Sequence, residues 1–252
     1  MILRRLGNKK KISDEIQKHF PPHKMYVEPF FGAGGMFFYK PKAKYNIVND
    51  LDSDVFNLFN IVMRSKDELL KGFKKLPIHS DLLDYWNKNT EDDLIIKALR
   101  FLYLSNFTFM GNGGSQFNGA ENPKEIFYSK LDATFDYLDN VQFFNKDFSK
   151  FLSLLREKNS DITLIYCDPP YLGTNDNYSN SFTEAQSEQL FNALEESKCK
   201  FAVSEFNHPF ILEQAEKRGL NVIIIGERQN LKNRRTEILV TNYENRQPSL
   251  FA

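Results

Sequence analysis

Asp168-Pro169-Pro170-Tyr171 is the tetrapeptide whose residue types can do chemistry together. An exocyclic amino group on an aromatic base is a poor nucleophile, because its lone pair is delocalised into the ring. An aspartate carboxylate and a proline main-chain carbonyl are pure acceptors. They can hold the two N–H bonds out of the ring plane and leave the lone pair on nitrogen. Two prolines fix the backbone, so the acceptors are preorganised, and preorganised dipoles carry much of catalysis. Tyr171 offers a ring on which an extruded base can stack, worth about 1–3 kcal/mol per base. The plain alternative is a rigid proline turn with an aspartate cap. An accidental DPPY in a chain of this length has odds of order one in a thousand.

Such an amine needs an electrophile, and a second constellation can supply the pocket for one. The strand candidate 25–29 runs into Phe31-Gly32-Ala33-Gly34-Gly35, with a helix candidate after it. Glycines at such a turn let the backbone approach a ligand and leave helix amides pointing at it. The next strand candidate ends in Asn49-Asp50, placing an acid 18 residues after Gly32. That is the distance at which an acid meets ribose hydroxyls when an adenosine-bearing cofactor lies across the strand ends. The turn lacks the further glycine of a pyrophosphate loop and the Lys-Ser/Thr of a phosphate grip. A nucleoside cofactor without a polyphosphate, bearing a positive methyl donor, fits better than NAD or ATP.

Both constellations need a sheet to bring them to one edge. β-rich runs at 25–29, 45–50, 141–147, 163–170, 200–205, 221–227 and 236–243 alternate with helix candidates near 184–198 and 208–219. Strand, helix, strand is the pattern of a mostly parallel sheet with helices on both faces. The last two runs, joined by a basic loop, predict an antiparallel hairpin at the sheet edge. Residues 55–135 carry apolar residues at helical spacing, then a polar, glycine-rich loop at 111–123. They read as a helical insertion in an α/β domain formed by 1–54 and 136–252. Gly32 and Asp168 are 136 residues apart, roughly 70–80 more than the intervening strands and helices need at common lengths.

Composition bounds the partners. With 33 basic and 33 acidic residues the net charge is zero, which argues against indiscriminate coating of nucleic acid. Residues 1–24 nevertheless hold seven Lys/Arg against Asp14 and Glu15. Arg228, Lys232, Arg234 and Arg235 form a second basic cluster. Cys167 and Cys199 are the only cysteines, without metal-ligand spacing, so no metal site and a reducing cytoplasm are the expectation. Cys167 reads as packing. No apolar stretch is long enough to span a bilayer.

These residues, in this order, resemble the Dam-type (alpha-class) S-adenosylmethionine-dependent DNA adenine-N6 methyltransferases, over nearly the whole chain. Arg5-Leu6-Gly7-Asn8-Lys9 is similar to the family's N-terminal cofactor motif, and Glu28-Pro29-Phe30-Phe31-Gly32-Ala33-Gly34 to its glycine motif. Asn49-Asp50, Asp147-Phe148, Asp168-Pro169-Pro170-Tyr171 and Thr236-Glu237-Ile238 match its ribose acid, adenine-side pair, catalytic motif and closing strand. The resemblance implies a Rossmann-like class I methyltransferase fold. It also implies S-adenosylmethionine as donor, S-adenosylhomocysteine as product, and double-stranded DNA as partner. Arg5, Lys9, Phe30, Gly32, Gly34, Asp50, Asp147, Phe148 and Asp168 become its cofactor-binding candidates.

The insertion then reads as the target-recognition region. Asn106, Asn112, Gln116, Asn118 and Asn122 are candidate base readers, and Arg234 and Arg235 candidate DNA contacts. The target adenine must be flipped out of the duplex to be reached, and Phe182 is a candidate lining of the base pocket. Segment 94–123 diverges from the arginine-bearing pattern of GATC-reading members, and Arg5 stands where the family often has an aromatic residue. A separately acting cognate restriction endonuclease and a bacterial or phage origin are compatible with the family. Two rivals remain: methylation of a purine amino group in RNA, and a non-catalytic nucleic-acid-binding module.

Overall fold

Seven β-rich runs form one sheet because their apolar residues cover both of its faces. In the computed structural model the strands are β1 (Met25–Glu28), β2 (Tyr45–Asn49), β3 (Val141–Phe144), β4 (Thr163–Cys167), β5 (Lys200–Phe206), β6 (Asn221–Gln229) and β7 (Arg234–Thr241). The model describes residues 2–3, 9, 12–108, 122–155, 157–173, 182–229 and 234–244. Arg5, Asn112, Gln116 and Asn118 lie outside these residues, as does the side chain of Arg234.

The strand order is β3-β2-β1-β4-β5-β7-β6. The first five strands run parallel, and β7 pairs antiparallel with both β5 and β6. The expected hairpin is therefore present, with β6 outermost and β7 inserted beside β5. Strand β4 is buried at every residue, as a central parallel strand flanked by helices on both sides must be. Its alternate residues serve two cores. Leu164 and Tyr166 pack with Tyr26, Val48, Ala202 and Leu239 on one face. Ile165 and Cys167 pack with Val27, Val203, Ile238 and Val240 on the other.

Helices α7 (Phe148–Leu152), α8 (Glu184–Glu196) and α9 (Pro209–Lys217) cover the second face through Phe151, Phe191 and Ile211. The first face is covered by α1 (Ser13–Gln17), the segment 31–39, and five helices spliced between β2 and β3. These are α2 (Ser53–Arg64), α3 (Lys66–Lys75), α4 (Ser80–Lys88), α5 (Leu94–Phe107) and α6 (Pro123–Leu138). The described helices of this block run from Ser53 to Leu138. Aspartates at strand-like dihedrals start two of its helices, Asp52 accepting from the Asp54 amide and Asp93 from those of Ile95 and Ile96. Its packing is aromatic: the Phe73 and Phe127 rings lie 4.2 Å apart and Trp86 meets Tyr103 at 5.2 Å. Each fully buried side chain of this size stabilises the fold by roughly 2–3 kcal/mol. Leu58, Phe59 and Leu102 share one core with Tyr26 and Val48 of the sheet, so the insertion is welded to the domain that carries it.

The helix expected after the glycine turn does not form. Gly32 and Gly34 both have positive φ, 54° and 73°, which a right-handed helix does not admit. A single 3-10 turn at Phe37–Tyr39 follows instead. It is held by ring contacts of Phe31 with Phe37 and Phe38 at 5.7 and 5.9 Å. A Cβ on Gly34 would come within 2.5 Å of the Phe38 ring and 2.9 Å of the Phe31 ring.

Candidate active site

All five parallel strands end at the same edge of the sheet, and the chain order reverses between β1 and β4. Open α/β sheets bind ligands at such a point, outside the carboxyl ends of the strands. The residues that follow β1, β2, β3 and β4 are the glycine turn, Asp50, Asp147 and Asp168.

Asp50 is tied to the glycine turn. Its Oδ2 accepts the Gly32 N–H at 2.6 Å and its Oδ1 the Asp52 N–H at 2.9 Å. Among the described residues other than its two chain neighbours, no heavy atom lies within 4 Å of where a Gly32 Cβ would stand, so the turn's backbone is open to a ligand beside this carboxylate. Asn49, buried behind it, donates to the Pro29 and Lys146 carbonyls at 3.0 Å and accepts the Lys146 amide at 3.0 Å. One side chain thereby locks the ends of β1, β2 and β3 together.

Phe30 leaves β1 partly buried, with its ring 5.5 Å from Phe148 and 6.0 Å from Phe182. Phe148 and Phe182 are 5.8 Å apart. Phe182, a candidate for the base pocket, thus joins Phe30 and Phe148 in one aromatic group. Asp147 caps α7, its Oδ1 accepting from the Ser149 amide at 2.9 Å and the Ser149 hydroxyl at 2.5 Å. The cap is what places Phe148 at the head of that helix.

At the end of β4, Asp168 is partly exposed and Pro169 buried. Lys9, only 2% exposed, sets its ammonium 2.7 Å from Asp168 Oδ1 and 3.5 Å from Glu237 Oε1. Lys9 of the N-terminal motif therefore meets the tetrapeptide in space. The Tyr171 hydroxyl donates to Glu237 Oε1 at 2.5 Å. The Tyr171 ring is less open than a stacking platform requires. Lys9 lies 4.5 Å from its centroid, and Phe206 packs edge-on at 4.7 Å. Burial, then the charges of Asp168 and Glu237, push the Tyr171 hydroxyl well above its ordinary pKa, so it stays a donor.

The edge is rich in carboxylates. Glu28 is buried and accepts from the Tyr26 hydroxyl at 2.8 Å. Burial, reinforced by Asp168 and Asp50, holds its carboxyl well above the usual range. Glu205 accepts the amides of Phe206 at 2.8 Å and Leu172 at 3.2 Å. Burial pushes its pKa up to about 8, against the opposing pull of those two amides. Between its ordinary 4.5 and 8, the folded protein binds this proton more tightly than the unfolded chain does. Stability from this group therefore falls as pH rises through that window. Glu205→Gln removes the titration. The melting temperature of the variant minus that of the wild type should grow steadily from about pH 5 to about pH 8.5. A difference that is flat or shrinks across that range would contradict the assignment.

Other candidates are placed elsewhere. Asn106 is buried, its amide donating to the carbonyls of Ile2 at 3.2 Å and Leu102 at 3.0 Å, so it cannot reach a base edge. Asn122 caps α6 through Oδ1, which accepts the Lys124 amide at 3.0 Å. The Arg235 guanidinium donates to the Gly173 carbonyl at 3.3 Å and lies 5.4 Å from the Phe206 ring; it is engaged with the chain's own loop. Cys167 is buried at the end of β4, as packing predicts. Among the described residues, no group of three or more His, Cys, Asp or Glu side chains is arranged to hold a metal.

Comparison with protein families matches residues 6–223, well over half of the chain, to the D12 class N6 adenine-specific DNA methyltransferases. The chain belongs to this family. As a D12 class enzyme it methylates adenine in DNA with S-adenosylmethionine as donor. The DNA adenine methylase of Escherichia coli (strain K12) is 26% identical over 246 residues, covering 88% of this chain and 86% of the relative. That of Haemophilus influenzae (strain Rd) is 32% identical over 185 residues, covering 68% and 63%. Among solved structures, the rRNA methyltransferase aviRa from Streptomyces viridochromogenes aligns with a TM-score of 0.42 and 12% identity over 92% of this chain and 83% of that one.

The donor set of this D12 class chain suits S-adenosylmethionine. It has a carboxylate beside an open glycine turn for a ribose diol, an aromatic group for a purine, and the partly exposed Asp168 carboxylate for a sulfonium cation. Glu28 and Glu205 carry no role of their own in the sequence motifs, and Arg235 only that of a candidate DNA contact. The strand logic that flagged Asp168 would have found the first two, since each is a carboxylate at the carboxyl end of a buried strand.

Proposed function

We propose that this D12 class enzyme methylates adenine N6 within one short duplex sequence, using Asp168 and the Pro169 carbonyl as the two acceptors of the amino group. The meeting of Lys9, Asp168 and Tyr171 at the edge shared with Asp50 is the observation that carries this reading. Asp50 would hold the ribose, Phe30 and Phe148 the adenine side of the donor, and Lys9 the orientation of the Asp168 carboxylate. Bound S-adenosylmethionine supplies an electrophilic methyl group. Asp168 and Pro169 take one N–H each, which concentrates the lone pair on N6. The adenine is flipped out of the duplex to reach them, since N6 in a stacked pair is inaccessible. Residues 55–135 would carry target recognition through Asn112, Gln116 and Asn118, with Arg234 a further DNA contact from outside that block. A reaction on genomic DNA puts the enzyme in a bacterial or phage-infected cytoplasm, with any cognate restriction endonuclease acting separately.

Two assays test this. Long-read modification sequencing of DNA from cells expressing the chain should show N6-methyladenine in a single short context. Purified protein should transfer tritiated methyl groups to duplex DNA and not to rRNA. Label in RNA alone would overturn the substrate assignment, and label spread over all adenines would overturn the sequence specificity.

A further inference from the structure

Three consecutive residues of the loop after Pro170 are each held by a different side chain of the β5–β7 pair. Glu237 takes the Tyr171 hydroxyl at 2.5 Å, Glu205 the Leu172 amide at 3.2 Å, and Arg235 donates to the Gly173 carbonyl at 3.3 Å. The register produces this arrangement. Phe206 stands opposite Glu237 and Glu205 opposite Ile238, while Arg235 and Glu237, two residues apart, share one face of β7. Glu237 and Glu205 are 0% and 1% exposed. A buried carboxylate costs free energy unless it is hydrogen-bonded or paired. For closing the sheet, an apolar residue like the neighbouring Ile238 would serve better at position 237. Glu237 also approaches Lys9, which in turn holds Asp168.

We propose that Glu237 is a positioning residue for methyl transfer, fixing Tyr171 and Lys9 together and so setting where the Asp168 carboxylate points, while Glu205 and Arg235 hold the two residues that follow. The proposal rests on Asp168 being an acceptor of the target amine. Glu237 touches neither substrate; it acts through Tyr171 and Lys9. Glu237→Ala releases both at once. Glu237→Gln keeps an acceptor for the hydroxyl and loses the charge facing Lys9.

The full chain is tested with duplex DNA, S-adenosylmethionine and these two variants. Glu237→Ala should lower kcat about 100-fold, the scale of a loss of positioning by about an ångström, and Glu237→Gln should recover roughly tenfold of it. The dissociation constant for S-adenosylmethionine, measured by calorimetry, should change less than about threefold, as an effect on geometry rather than on uniform binding requires. A readout without cofactor or DNA is trace acetylation with acetic anhydride, followed by mass spectrometry. Lys9, buried in the wild type, should label several-fold faster in both variants. A kcat within about twofold of wild type in both variants, or slow turnover with Lys9 still protected, overturns the proposal. If Glu237→Ala melts below the assay temperature, Glu237→Gln and the Lys9 labelling decide. Wild-type protein that methylates no adenine would instead sink the functional reading, and Lys9 labelling would still judge the clamp.

Discussion

Asp168→Ala should leave a folded protein that binds S-adenosylmethionine and transfers methyl groups about 100- to 1,000-fold more slowly, the cost of removing one preorganised group from a reacting centre. The fold survives because Asp168 is partly exposed and Lys9 keeps Glu237 Oε1 at 3.5 Å. Loss of the 2.7 Å contact to Lys9 should cost roughly 1–3 kcal/mol, the range for leaving a buried donor short of one partner. Asp168→Asn is the sharper variant. It keeps the size and one carbonyl acceptor but presents an N–H₂ that competes for the same place as the substrate amine. Tritiated methyl transfer to duplex DNA, with thermal melting alongside, measures both effects. Undiminished transfer by the alanine variant would remove Asp168 from the mechanism.

Asp50→Ala should act on the other substrate. The carboxylate organises the glycine turn through the Gly32 and Asp52 amides and, in the proposed function, receives the ribose hydroxyls. Losing both should weaken S-adenosylmethionine about 100-fold, or about 3 kcal/mol at 1.4 kcal/mol per tenfold. Asp50→Asn keeps one oxygen for one backbone amide and replaces the other by a donor. It should hold the turn better than alanine and still bind the donor weakly. Calorimetry on the cofactor-free protein measures both variants. Wild-type affinity in Asp50→Asn would show that the ribose is held elsewhere.

The sheet was legible because each strand's register is written in its own residues. Leu164 to Cys167 is an unbroken apolar run and became the fully buried centre, and the runs at 200–205 and 236–243 became neighbours. Local pattern misjudged what depends on distant partners. The glycine turn reads as the start of a helix until Phe31, Phe37 and Phe38 are packed against one another. Arg235 sits in a basic cluster that reads as a nucleic-acid contact, and nothing local in that cluster signals that one of its N–H groups holds the Gly173 carbonyl. Asn106 shows helical spacing and polarity, but its partners are the carbonyls of Ile2 and Leu102, the first of them 104 residues away in the chain. The tetrapeptide was recognisable from four letters. The carboxylates that hold the loop after it lie 33 and 66 residues further on, and only the sheet brings them there.

The position of β7 has a consequence for how the protein comes into being. This strand is synthesised after the other six described strands, yet it fills an interior place in the sheet, between β5 and β6. Until residues 234–241 have left the ribosome, β5 carries an unsatisfied flank and the Tyr171 hydroxyl lacks the Glu237 carboxylate that holds it. Nascent chains emerge N-terminus first, at about 5–20 residues per second. The enzyme therefore gains its working geometry only once β7 has emerged, and a ribosome that stalls before it yields a product already holding the nine described α-helices but inert towards the chromosome.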